Sequence, residues 1–188
     1  VVGYVVFRQR PRFADGIGAG AAEIIELIGV DARAEATLWR FALGIDLFPT
    51  VTWWNAPTDD VLPWIVPDPR RIKRRRVDNL WLRIEDVAAA FGARGYAGDG
   101  ALRFAMDGTT WELTVEGGHG RCAQVTDATA ASTAELRLGR AALSALYLGG
   151  VPASRLARAG LVDGSAEALA TADRMLTSAI APWCAEIF

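Results

Sequence analysis

DNLWLRIEDVAAAFGARGY, residues 78–96, changes its hydrophobic period half-way along. Leu80, Leu82 and Ile84 alternate with Trp81 and Arg83, the two-residue period of a half-buried strand. From Glu85 the period lengthens: Val87, Ala90 and Phe91 recur at i, i+3, i+4, as on one face of a helix. Glu85 and Asp86 stand where acids favour a helix N-terminus, and Gly92 stands where the helix can stop. A strand running directly into a helix is expected here. The residues on either side read as two different structural units.

A chain of 188 residues has room for two small domains. Apolar residues make up 52% and charged residues 22%, with seven Trp, which supplies a packed core and excludes global disorder. The net charge of −2 indicates neither a nucleic-acid nor a membrane-surface partner. No apolar run approaches the roughly 18 residues of a membrane span. Cys122 and Cys184 are the two cysteines, far apart and without a CxxC, so no disulfide framework is expected and a reducing compartment is allowed. His119, the single histidine, lies in the turn GGHG. With it alone, neither a zinc site nor a Ser-His-Asp triad can be assembled.

Upstream of the seam the chain begins without Met, inside an apolar strand (VVGYVVF), the pattern expected of a fragment whose neighbouring strands lie elsewhere. Gly16, Gly18 and Ala21 carry the spacing G-x-G-x-x-A. A dinucleotide site needs a strand running straight into those glycines and a helix starting on them. Pro11 and its neighbours intervene, and AEIIELIGV reads as a strand, so a hairpin loop is expected instead. Asp31 opens a helix with Leu38, Phe41, Ala42 and Ile45 on one face. PTVTWWN reads as a strand. In DDVLPWIVPDPRR, Pro63, Pro67 and Pro69 forbid a long helix. RRIKRRR, residues 70–76, holds six basic residues in seven and reads as an interdomain connector rather than a phosphate-binding face.

Downstream, Leu102, Phe104 and Met106 alternate, as do Trp111, Leu113 and Val115, and Asp107-Gly108 between them is a hairpin signal. Further strands are expected at RCAQV and AELRL, completing an antiparallel sheet. Helices come next: Leu143, Leu146 and Tyr147 share a face that Gly149-Gly150 ends, Pro152 opens the next, and Ser165 caps a last helix burying Leu169, Ala172 and Leu176. The fold class is α+β: a β-α-β unit over residues 1–69, whose order of strand, loop, strand, helix and strand resembles the later part of a GNAT-type acetyltransferase fold, a basic linker over 70–77, and a domain over 78–188 with an antiparallel sheet covered by helices.

DNLWLRIEDVAAAFGARGY, LRLGRAALSALYLGGVPASRLARAGLV and APWCAEIF together resemble the C-terminal sterol-carrier-like domain of bacterial acetyltransferases of the enhanced-intracellular-survival (Eis) type. WRFALGIDLFPTV and DDVLPWIVPDPRR resemble the end of the degenerate second GNAT domain of the same family. The resemblance implies a sterol-carrier-protein-2-like domain, transfer of acetyl from acetyl-CoA to amines of aminoglycosides or lysines, a homo-hexamer, and a bacterial cytoplasmic enzyme with no metal, nucleic-acid or membrane partner. It also implies that acetyl-CoA is held by an upstream domain. Where an active GNAT domain has a Gly-rich loop, this chain has Val30-Asp31-Ala32-Arg33, so the fragment alone is expected neither to bind acetyl-CoA nor to transfer acetyl. The family's catalytic tyrosine would lie upstream, and Tyr4, Tyr96 and Tyr147 inherit no such role.

The last residues carry the site the resemblance implies: Phe188 as the C-terminal carboxylate and general base, with Glu186 and Phe188 as acceptor-binding residues. Trp183, Ile187 and Phe188 are equally the pattern of an apolar tail that docks on a core. A lipid-binding carrier module is the alternative, since apolar faces alone do not separate a filled core from a lipid cavity.

Overall fold

The computed structural model describes residues 1–127, 129 and 133–186. They divide into two compact units: one from Val1 to Asn79 that also includes the tail from Trp183, the other from Leu80 to Pro182.

In the first unit, β1 (Gly3–Arg10) pairs antiparallel with β4 (Ala21–Gly29), with a register shift between Val6 and Phe7. The glycines of the G-x-G-x-x-A spacing serve the connection, where β2 (Phe13–Ala14) and β3 (Ile17–Gly18) form a small hairpin. Asp15 at φ 49° and Gly16 at φ 77° make its two-residue turn, a conformation glycine and aspartate tolerate. No helix starts there, and the expected hairpin stands. Asp31 caps α1 (Ala32–Leu43), its Oδ1 accepting from the Ala34 amide at 2.8 Å. The buried face of α1 is Ala34, Trp39 and Ala42 with Leu38 beside them. That corrects the sequence reading: the helix ends at Leu43, before Ile45, and Phe41 is 54% exposed, edge-on to Phe7. The stripe rotates because the bulky Trp39 fills the space over Ile24 and Leu27.

α1 returns the chain to β5 (Thr50–Trp53), which lies parallel to β4 in the order β1-β4-β5, as a crossover connection permits. β5 pairs only with Ala21–Ile24, so β4 runs on to Gly29 without it. The prolines limit the next segment to one turn of α2 (Leu62–Ile65) and a 3-10 turn at Pro69–Arg71. Of the basic run, Arg74 pairs with the buried carboxylate of Asp60, which also accepts from the Leu62 amide.

The second unit opens differently from the sequence reading. The strand expected over Leu80–Ile84 is not formed: the segment belongs to no sheet, and Leu80 is exposed. Its burial still alternates into the core, from half-buried Leu82 to buried Ile84. Side chains of α4 (Arg140–Tyr147) satisfy its backbone in place of a neighbouring strand: the Ile84 amide donates to Ser144 Oγ at 3.1 Å, and its carbonyl accepts from Arg140 Nη1 at 2.8 Å. Asp86 then caps α3 (Val87–Ala93), which buries Val87 and Phe91.

β6 (Gly100–Met106) and β7 (Thr109–Glu116) form the expected hairpin, turning on Asp107 at φ 50° and Gly108 at φ 77°. β8 (His119–Gln124) extends it. The sheet is mixed, however, not antiparallel. Its order is β10-β9-β6-β7-β8, with β9 (Leu136–Leu138) parallel to β6 and β10 (Val162–Gly164) antiparallel to β9. Arg103 on β6 explains the parallel docking. Its amide donates to Glu135 Oε2 at 2.9 Å and its carbonyl accepts from the Glu135 amide at 2.9 Å, while its guanidinium reaches Glu112 and Thr133. The strand after Glu135 is thereby laid along the free edge of β6. α4, α5 (Ala153–Arg158) and α6 (Ala166–Leu176, capped by Ser165) complete the unit. Leu143, Leu146, Leu156, Ala172, Met175 and Leu176 join Phe91, Leu102, Phe104 and Leu113 in one core.

Candidate functional site

β5 ends at Trp53, and Asn55 comes two residues later in the turn that leaves the strand. The carboxyl ends of strands are where open α/β sheets present their ligand-contacting loops. Here that end of β5 carries the tail of the chain. One proton of Asn55 Nδ2 goes to the Cys184 carbonyl at 3.0 Å and the other to the Ala185 carbonyl at 3.1 Å. The Asn55 carbonyl accepts from Trp183 Nε1 at 3.0 Å. Asn79 Nδ2 donates to the Cys184 carbonyl at 2.8 Å and to Asn55 Oδ1 at 3.4 Å. The rings of Trp39, Trp53 and Trp183 form a ladder, with centroids 5.8 Å and then 6.1 Å apart, the second step edge-to-face. Within the tail, Cys184 Sγ lies 3.4 Å from the Glu186 carbonyl.

Of the site residues expected from sequence, Glu186 is exposed just past the last tethered carbonyl, and Phe188 lies outside the described residues. Asn55, Asn79 and Trp53 were not singled out from sequence. An Asn just after a strand reads as an ordinary turn residue, and its partners lie more than a hundred positions away.

The start of α1 does not fit a CoA pyrophosphate. The Asp31 carboxylate holds the Ala34 amide, and a Cβ added at Gly29 would sit 2.6 Å from the Glu35 nitrogen, so backbone already fills the cradle a phosphate would need. Among the described residues no group of three or more His, Cys, Asp or Glu is placed to hold a metal ion, and no helix is long and apolar enough to cross a membrane.

Two spaces in the second unit bear on the carrier alternative. Between sheet and helices, Phe91, Leu102, Phe104, Leu113, Leu143 and Leu176 border a void of about 10 Å³, which holds at most one water. Small-molecule pockets span roughly 300–1,000 Å³. At the outer end, an open groove of about 630 Å³ passes Arg94, Tyr96, Tyr147 and Ile180. Arg94 is committed there. It donates to the carbonyls of Tyr147 (2.6 Å), Leu176 (3.0 Å) and Gly95 (3.2 Å), and it stacks on Tyr96 at 4.6 Å. The first two carbonyls close the ends of α4 and α6, so this cation ties off two helix C-termini. Burial lowers the Arg94 pKa and raises that of Tyr96, whose hydroxyl donates to the Phe91 carbonyl at 2.6 Å. These groups are structural.

Residues 87–185 match the sterol carrier protein domain family, and residues 1–84 match the acetyltransferase (GNAT) domain family. The N-acetyltransferase Eis of Mycobacterium tuberculosis is 36% identical over 162 residues, 84% of this chain and 38% of that protein. The chain belongs to the sterol carrier protein domain family, and with the segment ahead of that domain it is similar to the Eis-like GNAT N-acetyltransferases. An uncharacterized N-acetyltransferase of Streptomyces avermitilis is 34% identical over 190 residues, 97% of this chain and 45% of that protein. This Eis-like chain therefore spans less than half the length of these relatives. The crystal structure of Eis1 from Mycobacterium abscessus superposes with a TM-score of 0.79 at 28% identity, over 99% of this chain and 48% of that one. A GCN5-related N-acetyltransferase from Anabaena variabilis shares the fold at the same TM-score and 23% identity, over 99% of this chain and 47% of that one. The GNAT match covers the whole run up to the seam, not only the two segments whose resemblance was visible in sequence.

Proposed function

We propose that this chain is the C-terminal portion of an acetyl-CoA-dependent amine N-acetyltransferase, and that it supplies a carboxylate and part of the acceptor pocket. In this reading residues 1–69 are the later part of a degenerate GNAT-like domain, residues 70–77 a basic connector, and residues 78–188 a sterol-carrier-like domain ending in the catalytic tail. Acetyl-CoA is bound by a further domain upstream, which agrees with the poor fit of the α1 N-terminus to a pyrophosphate. The acceptors are amines of aminoglycosides or lysines, the assembly is a homo-hexamer and the compartment is the bacterial cytoplasm. The observation that carries the reading is the tail itself: Asn55 and Asn79 fasten the backbone of Cys184 and Ala185 to the first unit, immediately before Glu186.

The chemistry asks for a proton acceptor. An amine must shed a proton as its nitrogen attacks a thioester carbonyl; the C–N bond forms, the C–S bond breaks, and the sulfur leaves as thiolate. A free α-carboxylate titrates near ~3.5 and an alkylammonium near ~10, so a solvated carboxylate is a poor base for it. Apolar surroundings raise the carboxylate pKa and strengthen its attraction for the cationic acceptor. In this role the Phe188 carboxylate binds the ammonium and takes its proton, its ring anchors the tail, and Glu186 adds negative charge.

The test is to append one Gly after Phe188 in the full-length enzyme, which moves the carboxylate by a residue and leaves every side chain in place. We expect kcat to fall by roughly 100-fold. Unchanged turnover with an intact fold would reduce the tail to packing. The filled interior of the second unit tells against the carrier alternative. Mass spectrometry of extracts from the purified protein checks it, and a stoichiometric acyl chain or sterol would reinstate it.

A further inference from the structure

Asn55 makes an unusual commitment for a residue in a half-buried turn. Both protons of its amide go to consecutive carbonyls of the tail, its Oδ1 accepts from Asn79, and its own carbonyl accepts from Trp183. A side chain with two donors and one acceptor in a fixed plane matches that set, and neither a carboxylate nor a hydroxyl does. Two successive carbonyls tethered by one amide fix the direction of the tail as well as its place. Asn79 holds the first of those carbonyls from a second direction. The edge-to-face contact of Trp53 with Trp183 pins the segment one residue earlier.

We propose that Asn55, with Asn79 and Trp53, is a positioning clamp that fixes the place and direction of the tail over Trp183–Ala185 and so sets where the chain enters the acceptor site. Its role in turnover rests on the reading of the tail as the source of the base; the docking itself does not. The clamp touches no reacting atom. Reorienting a catalytic group by about 1 Å costs up to ~100-fold in rate, and two hydrogen bonds to adjacent carbonyls control a tilt of that size.

The replacement Asn55→Asp is nearly isosteric but turns two donors into acceptors facing two carbonyls, so it opens the clamp without removing volume. Cys184 lies inside the clamped segment and Cys122 is buried in the other unit, giving a reporter and an internal fold control. In full-length enzyme, iodoacetamide labelling is followed peptide by peptide by mass spectrometry, and kcat and KM are measured on Asn55→Asp, Asn55→Gln, Asn79→Ala and the Gly extension. We expect Asn55→Asp to speed Cys184 labelling about 10-fold with Cys122 still protected, and to lower kcat roughly 10- to 100-fold with KM for acetyl-CoA unchanged. Asn55→Gln, which keeps the donors, should recover part of both effects. Combining Asn55→Asp with the Gly extension should cost little beyond the extension alone, because both act through one group. The clamp stands or falls on the Cys184 labelling rate: no acceleration in Asn55→Asp overturns it. Acceleration with unchanged kcat, in an enzyme the Gly extension does inactivate, would overturn the positioning role. A harmless Gly extension would instead defeat the general-base reading, leaving labelling to decide whether the tail is clamped at all.

Discussion

Asp31, Asp86 and Ser165 each accept from an amide three residues on, and all three caps were readable because the bond lies within one turn of the chain. Replacing Asp31 with Ala should lower the stability of the first unit by about 1 kcal/mol, and with Gly by a few tenths, measured by chemical denaturation. Asn55 and Asn79 were not readable for the opposite reason: their tail partners are 105 to 130 positions away, and an Asn announces a turn whether or not something later docks on it. Cys122 carries a pH-dependent prediction. Burial raises its thiol pKa from an ordinary 9.0 to about 11. Between those values the unfolded chain releases the proton and the folded one keeps it. This contribution to stability is complete below pH 9 and is lost as pH rises towards about 11. Denaturation of wild type and Cys122→Ala at pH 7, 9 and 10 should show a shallower alkaline decline in the variant; identical slopes would mean that the thiol does not contribute.

Among the elements, the β6–β7 hairpin and the last helices were legible because alternation, an Asp-Gly pair and helical spacing are local patterns. Leu82 and Ile84 were legible in their burial, exposed Leu80 was not, and the bonding of the segment was out of reach. Alternation reports which side chains face a core, and it cannot tell whether the backbone is met by a strand or, as here, by Ser144 and Arg140. The parallel docking of β9 was likewise out of reach, since it hangs on the pairing of Arg103 with Glu135, thirty-two positions apart in sequence. Two glycines offer a controlled comparison. Gly108 (φ 77°) and Gly149 (φ 79°) need the same left-handed backbone, but a Cβ at Gly108 meets nothing within 4 Å, whereas at Gly149 it would lie 2.7 Å from the Ser178 nitrogen and 2.8 Å from the Leu176 carbonyl oxygen. Gly108→Ala should cost about 1 kcal/mol and Gly149→Ala clearly more, since backbone atoms must also move. Equal midpoint shifts in denaturant would show that the segment after α6 yields freely.

At the scale of the molecule, the two units are unequally provided. The first closes on Ile24, Leu27, Trp39 and Ala42, with the indole nitrogens of Trp39 and Trp53 lacking partners among the described residues, while the second has a continuous core from Ile84 to Leu176 and one such nitrogen, that of Trp111. A small core and unsatisfied donors point to the weaker unit. Urea should therefore open the first unit before the second, seen as two transitions when Trp fluorescence and far-UV circular dichroism are followed together. Isothermal calorimetry of residues 1–188 with acetyl-CoA should give no binding heat; tight binding would show that Asp31 yields its amide to a phosphate. The hydrogen bond from Asn79 to the Cys184 carbonyl has a last consequence. The chain leaves the first unit just after Asn79 and comes back to it at Trp183. The roughly one hundred residues of the second unit are thus spliced into the chain of the first like a graft, between Asn79 and a tail that Asn79 itself holds. Excising residues 80–182 and bridging Asn79 to Trp183 with a few glycines and serines should leave an acetyltransferase-type domain that still folds around its own tail.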